Sequence, residues 1–442
     1  MKYKVKHYSE FSSDKKFAYP NINAMPVKSS KCVVVGNLVF VSGTSEQKIL
    51  GGKSISTKFE DQMILTLDKI KGAMEESGSS MNNIVKTLII TKNLDDYHKM
   101  RRVELEYYQR HASYLVENPP ASTHLVPNSL LDPNLLVEIE VIGVIDRDAP
   151  GWQVKYYPAF WGDKKLAYPY VAPEAPKFAK SEVVGNLIFV SGCAGVRTDN
   201  LKVEKFVEDQ TIVALDKLRI AMEEAGGSMN NIVKTYLLVK NLEDYSQIRK
   251  VELEYFQKYA PELVEFPPAS TLIQVDSLAW PEFLVEIDAI GVVDKRVSGW
   301  EVKYYTELSD SRKSSCSNTT NESSRPSKCV TVGNLVFVSG TNSQLTLDGS
   351  SLSNRLEDQT IVALNKIKEA MEEAGSSINN IVKTLIITKN SDDYHKIRRI
   401  ELEYYQKYAP RLLENPPANT FFQTQCLETP ELLVGIDAIG VI

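Results

Sequence analysis

Apolar residues recur along this chain in two periods, and the alternation between them predicts its elements. Residues 33–42 are β-rich, and Gly36-Asn37 in their middle supplies a turn, so a hairpin is expected. Ile64, Leu67, Ile70 and Met74 then return at helical spacing, with Gly78 placed to stop the helix after its charged end. Residues 84–91 read as a strand, and Asp95 opens a second helix that carries Tyr97, Met100, Val103 and Tyr107 on one side. Two last strands are expected at 121–126 and 136–145. The order is ββαβαββ, with one sheet and two helices on one of its faces: an α+β sandwich.

The whole pattern occurs three times. GNLVFVSG at 36–43 returns as GNLIFVSG at 185–192 and GNLVFVSG at 333–340, steps of 149 and 148 residues. The same step carries Glu60-Asp61-Gln62 to Glu208-Asp209-Gln210 and Glu357-Asp358-Gln359. It carries Pro119-Pro120-Ala121 to Pro267-Pro268-Ala269 and Pro416-Pro417-Ala418, and LVEIEVIGVI to LVEIDAIGVV and LVGIDAIGVI. The first helix keeps its face as Ile212, Leu215, Leu218 and Met222, then as Ile361, Leu364, Ile367 and Met371. Solenoid units run only to about 50 residues, so this period means domain triplication. The extended pieces at Gly151 and Gly299, matched by Val5-Lys6-His7-Tyr8, mark the repeat starts and divide the chain into 1–148, 149–296 and 297–442. The polar stretch 309–327, which holds sequons at Asn318 and Asn321, is expected to be a mobile loop, and its aromatic, Pro-rich counterpart at 168–176 an ordered wrap.

A sheet with helices on one face, whose strands are apolar on both, must bury its second face. Three copies in one chain can do this by packing three sheets around a central axis with the helices outside, an intramolecular pseudo-trimer. Such a molecule has three clefts between neighbouring repeats, places favoured for small ligands. It should sediment as a single 49.6 kDa chain, or as a dimer of chains joined through outer surfaces.

Composition narrows the partners. With 442 residues, 43% hydrophobic and 24% charged, the chain can bury a sizeable core. The net charge of -6, with Lys and Glu intermixed, argues against nucleic acid as partner. No apolar run suits a membrane, and the opening MKYKVKHYSEFSSDKK lacks the apolar core of a signal peptide, so a cytoplasmic location is expected. Cys32, Cys193, Cys316, Cys329 and Cys426 have neither disulfide nor zinc spacing, and of five histidines only His98 and His395 are repeat-equivalent. No metal or cofactor is expected.

GNLVFVSGT, FEDQ with LDKI and MEESG, NNIVKTLI, the Pro-Pro-Ala-Ser-Thr turn and LVEIE together resemble the RidA (YjgF) family of enamine/imine deaminases, over nearly all of each repeat. The resemblance implies a chorismate-mutase-like fold, usually a homotrimer, with sites in the clefts between subunits. It implies hydrolysis of reactive 2-aminoacrylate-type imines to keto acids and ammonia. An Arg after the Pro would anchor the substrate carboxylate, and the first Glu of VEIE would position water. Placed on this chain, the Arg position falls on Ala121, Ala269 and Ala418, and a methyl group cannot replace a guanidinium fork. The glutamate is present as Glu138 and Glu286, and Gly435 stands there in the third repeat. The aromatic expected ahead of GNLVF falls on Ser29, Phe178 and Pro326, so only Phe178 keeps it.

Each candidate has a plainer alternative. Glu138 and Glu286 read either as acid/base groups with raised pKa or as structural carboxylates taking backbone hydrogen bonds. Ser122, Ser270 and Asn419, with Thr123, Thr271 and Thr420, stand where a ligand would be gripped, or serve turn chemistry after the prolines. Lys86, Lys234 and Lys383 are expected to snorkel to a sheet edge, with a substitute cation for the missing Arg as the other reading. Arg101, Arg249 and Arg398, each three residues before a glutamate, read as surface helix pairs. The expected function is binding of a small metabolite in the clefts, with imine or enamine hydrolysis by Glu138 or Glu286. The alternative is a non-catalytic ligand-binding or scaffold member.

Overall fold

A computed structural model describes residues 3–9, 29–46, 56–159, 178–306, 325–341 and 353–442. The expected wrap at 168–176, most of the polar stretch at 309–327, both sequons and Cys316 lie outside the described residues.

The first repeat comprises β1 (Val5–Ser9), β2 (Ser30–Val35), β3 (Leu38–Thr44), α1 (Phe59–Glu76), β4 (Ile84–Thr91), α2 (Tyr97–His111), α3 (Ser113–Glu117), β5 (Ala121–Leu125) and β6 (Val137–Val144). Its strands lie in the order β1-β2-β3-β6-β4-β5, antiparallel except for the β4–β5 pair. The second repeat runs β7 (Val154–Tyr157), β8 (Ser181–Val184), β9 (Leu187–Ala194), α4 (Val207–Glu224), β10 (Ile232–Val239), α5 (Tyr245–Tyr259), α6 (Glu262–Glu265), β11 (Ala269–Gln274) and β12 (Val285–Val292). The third runs β13 (Val302–Tyr305), β14 (Cys329–Val332), β15 (Leu335–Val338), α7 (Leu356–Glu373), β16 (Ile381–Thr388), α8 (Tyr394–Tyr408), α9 (Arg411–Glu414), β17 (Ala418–Gln423) and β18 (Val434–Val441). Both repeat the strand order of the first.

The expected hairpin is β2–β3, and Gly36 turns it at φ +60°, a left-handed conformation that glycine adopts without a Cβ clash. Helix α1 buries Phe59, Met63, Leu67, Ile70 and Met74 on the sheet and stops at Ser77-Gly78. Ile64 and its counterparts Ile212 and Ile361, expected on that face, instead look outward, 39%, 42% and 40% exposed. Met63 takes the place of Ile64 in the stripe, and Gln62 of the Glu-Asp-Gln motif is fully buried beside it at the helix start. Its amide donates to the carbonyls of Ser56 (2.7 Å) and Asn134 (2.9 Å) and accepts from Leu136 N–H (2.8 Å), tying α1 to the link between β5 and β6. Gln210 and Gln359 make the same three bonds. Gly143 is required for a different reason: a Cβ there would stand 2.4 Å from Met74 Cε. The short helices α3, α6 and α9, which the sequence pattern did not predict, fill the gap before each Pro-Pro turn.

The three sheets turn their second faces inward against one another. One apolar core contains Val33, Phe40 and Ala121 from the first repeat, Phe189, Val233 and Ala269 from the second, and Phe337, Val382 and Ala418 from the third. The ring closes through equivalent backbone bonds: Ala179 N–H to Pro120 O (3.1 Å), Ser327 N–H to Pro268 O (3.2 Å) and Ser30 N–H to Pro417 O (3.1 Å). The chain is therefore a pseudo-trimer with central sheets and outer helices.

Three lysine–carboxylate pairs lie on its axis, each joining one repeat to the next: Lys86 with Asp288, Lys234 with Asp437 and Lys383 with Glu140. This corrects the expectation that these lysines reach a sheet edge; they are 7%, 0% and 3% exposed. Lys86 Nζ donates to Asp288 Oδ2 (2.5 Å), Thr123 Oγ1 (3.0 Å) and Val190 O (2.6 Å), so all three of its protons are used. Lys234 repeats this with Asp437, Thr271 Oγ1 (2.8 Å) and Val338 O (2.7 Å). An ammonium so deep is tolerable only when paired and fully hydrogen-bonded. Two of the pairs, Lys86–Asp288 and Lys383–Glu140, line an axial cavity of about 40 Å³. Among the described residues no helix is long and apolar enough to cross a membrane.

Candidate functional site

Each seam between repeats is built from the α2-type helix and β5-type strand of one repeat and the hairpin and closing strand of the next. In the 1/2 seam, β5 places Ser122 with its side chain towards the helices, because alternate residues of a strand face opposite ways. Ser122 Oγ receives Thr87 Oγ1 at 3.0 Å and Arg101 Nη2 at 3.2 Å, and Ser122 N–H donates to Ser191 Oγ at 2.7 Å. Ala121 and Thr123 face the other way. Ala121, Ala269 and Ala418 lie in the shared apolar core, outside the seams' polar lining. Thr123 belongs to the axis: it donates to Asp288 and accepts from Lys86 and from Gly192 N–H (3.1 Å). Thr271 and Thr420 bond Asp437 and Glu140 in the same way. The seam positions are therefore Ser122, Ser270 and Asn419; Ser270 is met by Thr235 Oγ1 (2.9 Å), and Asn419 Nδ2 donates to Thr384 Oγ1 (2.8 Å).

Glu286 projects from β12 into the 1/2 seam, 5% exposed. Its carboxyl fills a notch at Gly192, where a Cβ would stand 1.9 Å from Glu286 Oε1. Burial pushes its pKa up to about 8, with Lys217, Lys86 and Arg101 opposing the rise. Glu138 repeats this in the 3/1 seam: a Cβ at Gly43 would stand 2.1 Å from its Oε1, Phe421 N–H donates to that oxygen at 3.5 Å, and burial raises the pKa to about 8. A carboxyl of this kind is protonated at neutral pH and can give a proton and take it back. The 2/3 seam has Gly435 in this place, and Gly340 N–H bonds Ser270 O (3.0 Å), whereas Gly192 and Gly43 bond a threonine hydroxyl.

The arginines of the second helix are the seam residues that sequence reasoning missed. Arg101 and Glu104 are paired (2.9 Å) as expected, but inside the protein: Glu104, Glu252 and Glu401 are 6%, 4% and 0% exposed. The signal was in the spacing, since Tyr97, Arg101, Glu104 and Tyr108 follow one another at helical intervals along the buried stripe. The guanidinium carbon of Arg101 stands 5.5 Å from the Phe178 ring centroid, so Phe178 does reach the seam, and Pro326 lines a pocket with Arg249 in the 2/3 seam.

The sequence profile described as Endoribonuclease L-PSP matches this chain three times, over residues 22–145, 171–293 and 319–442. The chain belongs to that family. Its L-PSP domains are similar to a RutC family protein of Pyrococcus abyssi, 30% identical over 118 residues, which are 25% of this chain and 93% of the relative. A 2-iminobutanoate/2-iminopropanoate deaminase of Dermatophagoides farinae is 28% identical over 117 residues, 26% of this chain and 85% of the relative. Among solved structures, a YjgF/YER057c/UK114 family member from Mycobacterium tuberculosis is 22% identical and matches 32% of this chain and all of its own, with a TM-score of 0.25. One such domain thus corresponds to a whole relative, and the chain contains three.

Proposed function

We propose that this chain hydrolyses the C=N bond of a small imine, or of its enamine tautomer, in the 1/2 and 3/1 seams, releasing a carbonyl compound and ammonia. The observation that carries this reading is a buried, protonatable carboxyl seated in a glycine notch in each of those seams, Glu286 at Gly192 and Glu138 at Gly43. Similarity to the mite deaminase supports the reaction class. Water adds its oxygen to the imine carbon while the glutamic acid gives its proton to the nitrogen, and the carboxylate so formed takes a proton from the attacking water. In the carbinolamine the same group passes the hydroxyl proton to nitrogen, the C–N bond breaks, and ammonia leaves.

The test is ammonia release from an imine generated in situ by an amino-acid oxidase, measured above the spontaneous rate. Glu138→Gln combined with Glu286→Gln is expected to lower the enzymatic rate about 100-fold or more. Each single substitution should leave the other seam's share. An unchanged rate in the double variant would overturn the reading. A second reading, a non-catalytic binder, draws on the lack of a strand arginine in any seam, where Ser122, Ser270 and Asn419 stand. It predicts binding of a small metabolite without release of ammonia. The family description names a ribonuclease, but a net charge of -6 gives RNA little to hold, and no cleavage of RNA is expected.

A further inference from the structure

The three axial pairs are equivalent in the sequence and unequal in their bonding. In the second, Lys234 spends all three protons, and both oxygens of Asp437 are taken, Oδ2 by Lys234 and Thr271 and Oδ1 by Tyr236 OH (3.2 Å). Tyr236 stands where the other repeats have Leu88 and Leu385, so the first and third pairs receive no such hydroxyl. Lys86 and Thr123 both bond Asp288 Oδ2, and Lys383 and Thr420 both bond Glu140 Oε2 (2.6 and 2.5 Å). Asp288 Oδ1, Glu140 Oε1 and two protons of Lys383 are left without a hydrogen-bond partner among the described residues, in side chains of residues only 3%, 8% and 3% exposed. These two pairs are the ones that line the axial cavity. Most of its remaining wall is apolar, with Ile142, Ile290 and Ile439 from one core cluster and Leu125, Ile273 and Leu385 from another.

The loose atoms define what the chamber suits. Lys383 repels a cation and the two carboxylates repel an anion, so the ligand is neutral. It accepts from Lys383 and donates twice, to Asp288 and to Glu140. A primary amide does both, whereas an alcohol has one proton to give. At about 10–15 Å³ for each water, a cavity of about 40 Å³ has room for roughly three or four heavy atoms. Water alone would leave molecules against leucine and isoleucine with fewer than the roughly three bonds that a buried water makes, and a methyl group needs none.

The chamber also reaches the two seams that keep a glutamate. Thr123, which donates to Asp288, accepts the N–H of Gly192 at the Glu286 notch, and Thr420, which donates to Glu140, accepts the N–H of Gly43 at the Glu138 notch (3.1 Å each). After burial, the charge of Asp288 adds to the rise of Glu286, against Lys217, Lys86 and Arg101, and the charge of Glu140 adds to the rise of Glu138, against the N–H of Phe421. We propose that the axial chamber binds a small neutral primary amide, and that its occupancy is transmitted to Glu286 through Asp288 and Thr123 and to Glu138 through Glu140 and Thr420. Amide N–H groups bonded to Asp288 and Glu140 draw off part of the negative charge that the seam carboxyls feel, so a filled chamber lets both release their protons at lower pH. The site and its coupling stand whether or not the seams hydrolyse an imine.

The probe is acetamide, set against acetate and acetamidinium, which have its shape with a negative and a positive charge. In calorimetric titration of the full chain, acetamide should bind at least tenfold more tightly than either ion. Leu385→Tyr gives Glu140 the hydroxyl that Tyr236 gives Asp437 and fills the chamber, so a folded Leu385→Tyr chain should lose the binding. Leu385→Ala enlarges the chamber and should shift the preference from acetamide to butanamide, which tests the site even if the tyrosine is not accommodated. Saturating acetamide should move the carbon-13 titration midpoints of the Glu138 and Glu286 carboxyls to lower pH in wild type and leave them in place in Leu385→Tyr. Equal binding of the three probes, binding unchanged by Leu385→Tyr, or crystals grown in acetamide that show only water in the chamber would overturn the site. An occupied chamber with unmoved midpoints would overturn the coupling. No ammonia from any imine tested, with both readouts intact, would remove the hydrolase and keep this site.

Discussion

Replacing Lys234 with methionine is expected to cost the fold about 3–5 kcal/mol, a large share of the 5–15 kcal/mol typical of a folded protein. Lys234 is fully buried on the axis and its three protons go to Asp437, Thr271 Oγ1 and Val338 O. Methionine has nearly the same reach but no charge, so Asp437 would lose its counter-ion in the interior and keep, among the described residues, the hydroxyls of Thr271 and Tyr236 (3.2 Å) as partners. The cost comes from that stranded carboxylate more than from the lost attraction. Hence Lys234→Met combined with Asp437→Leu should recover most of the loss, because apolar residues of similar size often replace a buried pair without penalty. Lys383→Met should be milder. Lys383 makes one hydrogen bond among the described residues, to Glu140 Oε2 (2.6 Å), and the longer glutamate can turn towards the axial cavity. Urea midpoints for wild type and the three variants check the order. A double variant as unstable as Lys234→Met alone would contradict this account.

The repeat, the order of elements along it and the pseudo-trimer were legible in the sequence because they rest on periodicity within one repeat and on the apolar character of both sheet faces. The loss of a glutamate at Gly435 was legible too, being a difference between copies. The seams were less so, for a physical reason. Lys86 and Asp288 are 202 residues apart in the chain, so a lysine in a strand looks solitary until the neighbouring repeat supplies its carboxylate. The ambiguity between Ile64 and Met63 is of another kind: both are apolar, and only the buried Gln62 decides which way the helix is turned. Ala121 and Ser122 differ by one residue, hence by a face of the sheet, and sequence motifs do not record which face meets the next repeat. Arg101 and Glu104 were read as solvated because charges three apart on a helix usually are, although Tyr97 and Tyr108 on the same stripe pointed inward.

The carboxyls of these seams make stability depend on pH. Glu138 and Glu286 rise from 4.5 to about 8 on folding, chiefly through burial. Between those values the unfolded chain has released both protons and the folded chain has not, so stability is fullest below pH 4.5, falls as pH climbs towards 8 and levels off above it. The slope in that window is about 1.4 kcal/mol per pH unit for each carboxyl. Glutamine cannot ionise, so Glu138→Gln with Glu286→Gln should remove that slope and give a protein more stable than wild type at pH 8, though nearly equal to it at pH 4.5. A smaller slope should persist from Glu182, which burial also raises to about 8 against the pull of Arg147, and adding Glu182→Gln should reduce it further. Denaturation midpoints from pH 4.5 to 9 test this, and parallel curves for wild type and the Gln pair would refute it. Turnover should fall with rising pH as well: the wild-type rate should drop above pH 8, where the glutamic acids lose the proton that the proposed hydrolysis gives to the imine nitrogen. A chain that is destabilised at working pH by the very carboxyls that an amide would replace at no cost in volume is what a site under functional constraint looks like.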